Sequence, residues 1–377
     1  MNIMSKQLIC AGHLCVDLTP TLSQTAAVPV AALLQPGRLT QVGPVNISLG
    51  GSVPNTGLAL KRLGNSVRLM GKIGQDALGE LAMKRLDLYD SGQDVICQSG
   101  VSTSYSIVLA VPGTDRIFLH HPGANDSFSS GDIDWSKVTT AALFHFGYPP
   151  LMQRMFADHG EELLRILRSA RLQGAATSLD MAAVDPDTPA GRADWYRILK
   201  RTLPYVDFFL PSAEELAYML DPVLYAAWQA RAGGGDVCAV LDVANEIKPL
   251  ADLCLQLGCK LVLVKCGAKG MYLTTAAPEL LAEISPRAGL KVEQWGSRQL
   301  FEASYVPDRI LSTAGAGDTS IAAFLTALLT GYDPVWALHL ATATGAVCIT
   351  ELDALSGLKP LPELAQRIRS GWTKQSI

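Results

Sequence analysis

Runs of basic residues are missing from this 377-residue chain, and its formal net charge is −4. Without a positive stripe there is no electrostatic footprint for nucleic acid, so an anionic ligand has to be held by local geometry. Long apolar runs are missing too. The most apolar stretches, around Ala26–Leu34 and Ile321–Leu329, are too short or too interrupted to span a bilayer. Met1 to Lys6 lacks the basic-then-apolar layout of a signal peptide, so a cytoplasmic location with no membrane partner is expected. The eight cysteines form no Cys-x-x-Cys pair and no Cys/His zinc spacing, which favours buried free thiols over disulfides or ligands. His120 and His121 are adjacent, and neighbours on a strand point to opposite faces, which argues against a shared metal. No Gly-x-Gly-x-x-Gly follows the first apolar segment, and neither a Walker A sequence nor the protein-kinase signature set is present.

What is there is an ordinary globular composition, 49% hydrophobic and 18% charged, in a chain long enough for one large domain or two smaller ones. Short apolar segments alternate with helical ones. Expected strands are Gln7–Cys10, Val67–Met70, Leu143–Phe146, Ala176–Leu179, Phe208–Leu210 and Leu261–Lys265, several of them continuous apolar runs suited to burial on both faces. Expected helices are Pro54–Leu63, Leu78–Leu88, Glu161–Leu172, Ser212–Leu220, Asp318–Thr330 and Pro334–Ile349. The order predicts an α/β fold with a mostly parallel sheet. Two stretches break the alternation. Ser104–Val111 and Arg116–His121, joined by a turn at Pro112–Asp115, read as a β-hairpin. With extended material within Thr19–Leu49 it would form a small projecting sheet. Thr275–Arg309 is a long connection with strand-like pieces at Leu290–Trp295 and Leu300–Val306.

The most informative segment is Ser312-Thr313-Ala314-Gly315-Ala316-Gly317-Asp318, which opens into the apolar run Ile321–Leu325. A glycine-rich turn leading into a helix presents unsatisfied backbone N–H groups at the electropositive end of the helix dipole, a site for phosphate. Asp318 beside that nest is suited to accept the proton of an attacking hydroxyl. By itself, an acidic residue in a first turn is equally what helix capping favours.

Five further segments lie at strand ends or helix starts, the edge where open α/β sheets place ligands. They are Ala11–Asp17, Leu49–Asn55, Lys72–Gly79, Pro211–Glu215 and Lys265–Gly270. With the Asp318 segment, this ordered series resembles the ribokinase-like, or PfkB, family of sugar and nucleoside kinases, from about Gln7 to Leu358. The resemblance implies a three-layer α/β fold with a central mostly parallel sheet and a small β-lid, drawn from within residues 18–49 and 104–121, with 275–309 as an atypical insertion. It implies a single kinase domain that uses ATP and Mg²⁺ on a small sugar or nucleoside, with a homodimer formed through the lid as a further possibility. Asp318 would be the catalytic base, and the N–H groups of Gly315, Ala316 and Gly317 the anion hole. Asp17, Asn55 and the Gly50-Gly51 backbone would hold substrate hydroxyls. Ser212, Lys265, Gly267, Gly270 and Thr342 would line the nucleotide, and Glu215 would hold Mg²⁺ through water.

Local readings stand beside these. Asp17 suits a turn, and Ser212-x-x-Glu215 is a capping box in its own right. The chain also departs from the family at Ser212, where Asn is usual, at Lys265, where Thr is common, and at Ser312, where an acid is usual. An ammonium at Lys265 either touches nucleotide phosphate or points away. The loss of the acid at Ser312 puts activation by K⁺ in doubt. The reading is therefore an ATP-dependent sugar kinase. A nucleoside kinase on the same fold and a catalytically silent sugar or nucleotide sensor are the alternatives.

Overall fold

The computed structural model describes residues 6–22, 30–111 and 116–376. Its main sheet has eight strands in the order β14-β13-β12-β11-β10-β9-β1-β4. Of these, β1 (Gln7–Gly12), β4 (Ser66–Met70), β9 (Leu143–Gly147), β10 (Ala176–Asp180), β11 (Phe208–Phe209) and β12 (Leu261–Lys265) run parallel. The edge pair β13 (Gly270–Thr275) and β14 (Gln299–Ala303) is antiparallel. Side chains alternate across the sheet, so Leu8 and Cys10 enter one helical layer while Ile9 and Ala11 enter the other. Both layers need apolar partners, which is why the strands read as unbroken apolar runs.

One layer contains the helices Ser52–Arg62, Ala316–Leu329 and Pro334–Cys348, the other Glu161–Leu172, Ala213–Leu220 and Lys248–Gln256. Ala316–Leu329 is apolar around most of its circumference because every residue from Asp318 onward is buried. Phe324 within it meets Trp295 edge-on, with ring centroids 5.7 Å apart. Truncating such a buried aromatic to Ala costs about 3–5 kcal/mol.

The lid is a separate four-stranded sheet, β3-β2-β7-β8, made of β2 (Cys15–Pro20), β3 (Val45–Gly50), β7 (Tyr105–Leu109) and β8 (Ile117–His121). The hairpin read from the sequence is thus β7 antiparallel to β8; its turn at 112–115 lies outside the described residues. A third pairing joins β5 (Lys72–Gly74) to β6 (Ile96–Gln98). Most expected helices and strands appear within two residues of their expected bounds.

The stretch 275–309 needs a correction. Leu290–Trp295 is not a strand; Val292–Trp295 is a short helix that buries Trp295, whose carbonyl accepts the Thr275 hydroxyl at 2.5 Å. The second strand-like piece is real, as β14. Apolar residues at Val292 and Trp295 are three apart, a helical spacing that alternation over so short a run disguises.

Candidate active site

The C-terminal ends of the parallel strands deliver the site. Gly12, Gly147 and Asp180 lie side by side in register at the ends of β1, β9 and β10. Here the main chains approach so closely that a Cβ on Gly12 would collide with the Gly147 carbonyl, and one on Gly147 would collide with Ser52. Only glycine permits that approach. Beyond this row the chain leaves the sheet as His13, Tyr148 and Met181.

Asp318 stands in the first turn of the helix Ala316–Leu329 and is buried. Gly315 precedes the helix in the left-handed region (φ 72°). Ala316 N–H reaches only Thr313 O, at 3.4 Å, and the N–H of Gly317 has no protein acceptor among the described residues. The expected anion hole is therefore an open helix end. Three side chains grip the Asp318 carboxylate. Asn55 Nδ2 donates to Oδ2 at 3.2 Å, Thr56 Oγ1 donates to Oδ1 at 3.0 Å, and the Tyr148 hydroxyl lies 2.9 Å from both oxygens. Burial raises the pKa of Asp318 above the ordinary carboxylate value of 3.8; Lys265 and these three donors oppose the rise.

Lys265 points into the site. Its Nζ is 2.7 Å from Asp180 Oδ1, with the side chains 13% and 1% exposed, and its stem lies against Gly317. Burial works against its charge, but Asp180, Glu215 and Asp318 together raise its pKa and hold it protonated. Burial likewise pushes the Asp180 pKa up, against the pull of Lys265. Asp180 Oδ2 is buried with no partner among the described residues.

Ser212 and Glu215 form the capping box: Ser212 N–H donates to Glu215 Oε2 at 2.7 Å, and Glu215 N–H donates to Ser212 Oγ at 3.2 Å. A parallel bridge pairs Ser212 with Lys265, which brings the two segments together. Gly267 and Gly270 both take positive φ in the turn between β12 and β13. Thr342 is buried in the helix Pro334–Cys348, where its hydroxyl donates to Leu338 O at 3.0 Å and His339 O at 3.1 Å. It faces its own helix.

On the lid side, Asp17 in β2 lies directly over the backbone of Gly50, where a Cβ would overlap its carboxylate. Cys15 Sγ donates to Asp17 Oδ1 at 3.4 Å. Burial raises the Asp17 pKa, opposed by hydrogen bonds from Cys15 and Ser106 and by the Arg116 charge. Gly51 packs on His13. Asn55, expected to hold substrate, donates one amide N–H to Asp318.

Several residues of this cluster were not expected. Thr56 and Tyr148 hold Asp318, Asp180 holds Lys265, and His13 and His120 sit with ring centroids 5.2 Å apart. Both ring nitrogens of His13 are buried without partners among the described residues, and burial, aided by His120, keeps it neutral. Arg116 at the lid edge reaches the glycine-rich segment, donating to Thr313 Oγ1 at 2.8 Å. Asp180 had a legible signal, a carboxylate ending an apolar strand. The left-handed backbone that aims Tyr148 had none.

Comparison with known proteins places this geometry. The model of the pfkB family carbohydrate kinases matches residues 5–360. A protein described as an uncharacterized sugar kinase from Archaeoglobus fulgidus is 21% identical over 304 residues, covering 80% of this chain and 98% of its own length. The structure of Arabidopsis thaliana ribokinase complexed with ribose and ATP superposes with a TM-score of 0.70 at 19% identity, covering 96% of this chain and 98% of that one. A fructokinase from Xylella fastidiosa with bound ATP gives 0.68 at 20% identity, over 97% and 99%.

Proposed function

This chain belongs to the pfkB family of carbohydrate kinases, and from that premise we propose how its own residues move a phosphoryl group from ATP to a hydroxyl of a small sugar. The observation that carries the reading is the juxtaposition of a gripped, buried carboxylate with an open helix N-terminus and a buried ammonium. Asp318 accepts the proton of the attacking hydroxyl, the hydroxyl oxygen bonds to the γ-phosphorus, and the bond to the bridging oxygen of ADP breaks. The N–H groups at Gly315–Gly317 and the Lys265 ammonium lie where the charge of the transferring group is stabilised without reorganisation. Gly267 and Gly270 keep the β12–β13 turn low along the nucleotide. Thr342 contributes shape rather than a hydrogen bond, because its hydroxyl is committed to its own helix.

The residues present suit Mg²⁺. This cation keeps several waters and is held through one or two carboxylates and substrate phosphates. Glu215 uses one oxygen on the helix cap, and Asp180 Oδ2 is an unpartnered buried carboxylate oxygen. Mg²⁺ there would neutralise phosphate charge, with Glu215 holding it through water.

Asp17, His13 and the Gly50-Gly51 backbone form the sugar side. A carboxylate and neutral imidazoles offer acceptors and donors to hydroxyls. The deciding experiment is a coupled ADP-release screen over pentoses, hexoses, sugar acids, sugar phosphates and nucleosides. Turnover with a sugar and none with nucleosides is expected. ADP release that requires a nucleoside would establish the nucleoside reading, and tight sugar binding without any ADP release would establish the sensor.

A further inference from the structure

Tyr148 holds a backbone conformation that its sequence context opposes. It is a non-glycine residue at φ 66°, ψ 43°, left-handed, and it precedes Pro149. Left-handed backbone is uncommon for a bulky side chain, and a following proline biases the preceding residue towards extended conformations. Such strain persists only where the surroundings over-determine it. Here they do. Gly147 is wedged between Gly12 and Ser52, Tyr148 N–H donates to Asp180 O at 3.3 Å, and two prolines follow. The result of the strain is the aim of the phenol.

The phenol stands at the open end of the Asp318 carboxylate, equidistant from both oxygens, while Asn55 and Thr56 take one flank each. A hydroxyl that is to give its proton to Asp318 must compete with the phenol for that place. So must a water molecule. Burial, Asp318 and Asp180 hold the phenol protonated, so it donates to the base and does not replace it.

We propose that Tyr148 is a positioning residue whose hydroxyl stands in for the substrate's at the Asp318 carboxylate, keeping water off the base until a sugar displaces it. The proposal rests on the reading of Asp318 as base. It assigns to this chain a device against wasteful ATP hydrolysis. Without the phenol, the buried carboxylate has lone pairs to satisfy and recruits a water. That water's oxygen would bond to the γ-phosphorus and its proton would pass to Asp318. The bond to ADP would break, releasing ADP and inorganic phosphate.

The test compares ATP hydrolysis in the absence of sugar with sugar phosphorylation, in wild type, Tyr148→Phe, Asp318→Asn and the double variant. Since a general base contributes roughly 10²–10⁴ in rate, admitting water to it should raise sugar-free hydrolysis at least about tenfold in Tyr148→Phe. That gain should vanish in the double variant. A crystal structure of Tyr148→Phe should show an ordered water within hydrogen-bond distance of Asp318. A merely structural role for Tyr148 lowers both activities and raises neither. Sugar-free hydrolysis that stays at the wild-type level in a Tyr148→Phe enzyme still able to phosphorylate sugar overturns the proposal, whether or not the water is seen. Undiminished sugar phosphorylation by Asp318→Asn instead sinks the underlying assignment of the base. If Tyr148→Phe does not fold, Tyr148→Asn keeps a residue that tolerates the left-handed region and carries the same expectation.

Discussion

Asp318 and Asp17 are both carboxylates of one site, yet they are held in opposite ways. Asp318 projects from a core helix and is fastened by donors from two other core segments. Asp17 projects from the lid sheet, over a glycine backbone, with the Cys15 thiol and the Ser106 hydroxyl as donors. On the proposed reading, the group that must present one lone pair to one proton is built into the rigid body. The group proposed to hold the sugar is carried by the lid. Positioning the first to within fractions of an ångström needs packed elements; the second sits where loops and lids carry specificity.

The largest expected effect breaks the rigid half of that comparison. Asp318→Asn keeps the shape and removes proton acceptance, so turnover should fall by roughly 10²–10⁴ with ATP binding retained, measured by kinetics and calorimetry. A variant transferring phosphate near the wild-type rate would remove Asp318 from the chemistry. The wild-type pH profile sharpens the point. Burial raises the Asp318 pKa, and Lys265, Asn55, Thr56 and Tyr148 oppose it, while Asp180 and Glu215 face the same cluster through Lys265. A base must be ionised, so activity should fall as pH drops through that raised value. The acid limb should lie above 3.8, the ordinary carboxylate value.

Next comes the Lys265–Asp180 pair beside the open helix N-terminus. Lys265→Met leaves Asp180 buried without its partner, and breaking such a pair costs about 3–5 kcal/mol. Denaturant unfolding should show that loss, and adding Asp180→Asn should recover much of it. Equal stability of Lys265→Met and wild type would mean that Asp180 is neutral in the folded protein.

A smaller effect separates the two carboxylates directly. Removing a hydrogen bond to a charged group costs about 1.5–3 kcal/mol. Asp17→Ala should spend that loss on sugar affinity and leave ATP affinity unchanged. Asn55→Ala, because its amide serves Asp318, should lower kcat as well. Identical profiles for the two variants would erase the distinction between a gripping and a positioning role.

The smallest effect concerns monovalent cations. Ser312 brings no formal charge, and its hydroxyl already accepts the Ala314 N–H at 3.1 Å. Hard cations favour sites that include anionic oxygens. Replacing K⁺ by Na⁺ at constant ionic strength should change the rate little, and a several-fold drop would reveal a cation site built from carbonyls.

Much of this could be read from residue order. The strand-end glycines, Asn55, Ser212, Lys265 and Asp318 mark one edge of a parallel sheet, and that edge is where they stand, while Asp17 lies in β2 of the lid sheet beside it. The missed parts share a cause. Tyr148 matters through a positive φ, which no side-chain pattern announces for a non-glycine residue. Thr56 looks like an ordinary helical residue until the neighbouring helix brings Asp318 to it. Leu290–Trp295 is too short for its period to separate helix from strand. The direction of Lys265 is not written in the sequence around it, because it is set by an ion pair with Asp180 on another strand.

The glycine row at the sheet's edge has a consequence for descent. A Cβ at Gly12 would strike the Gly147 carbonyl, and one at Gly147 would strike the Ser52 side chain. A side chain at Gly12 would force two main chains apart, and one at Gly147 would displace the helix start at Ser52. On the proposed reading, a lineage carrying this row changes its substrate through the lid. Random mutagenesis with selection for any retained activity should leave a blank band at Gly12 and Gly147 while β7 and β8 accumulate change.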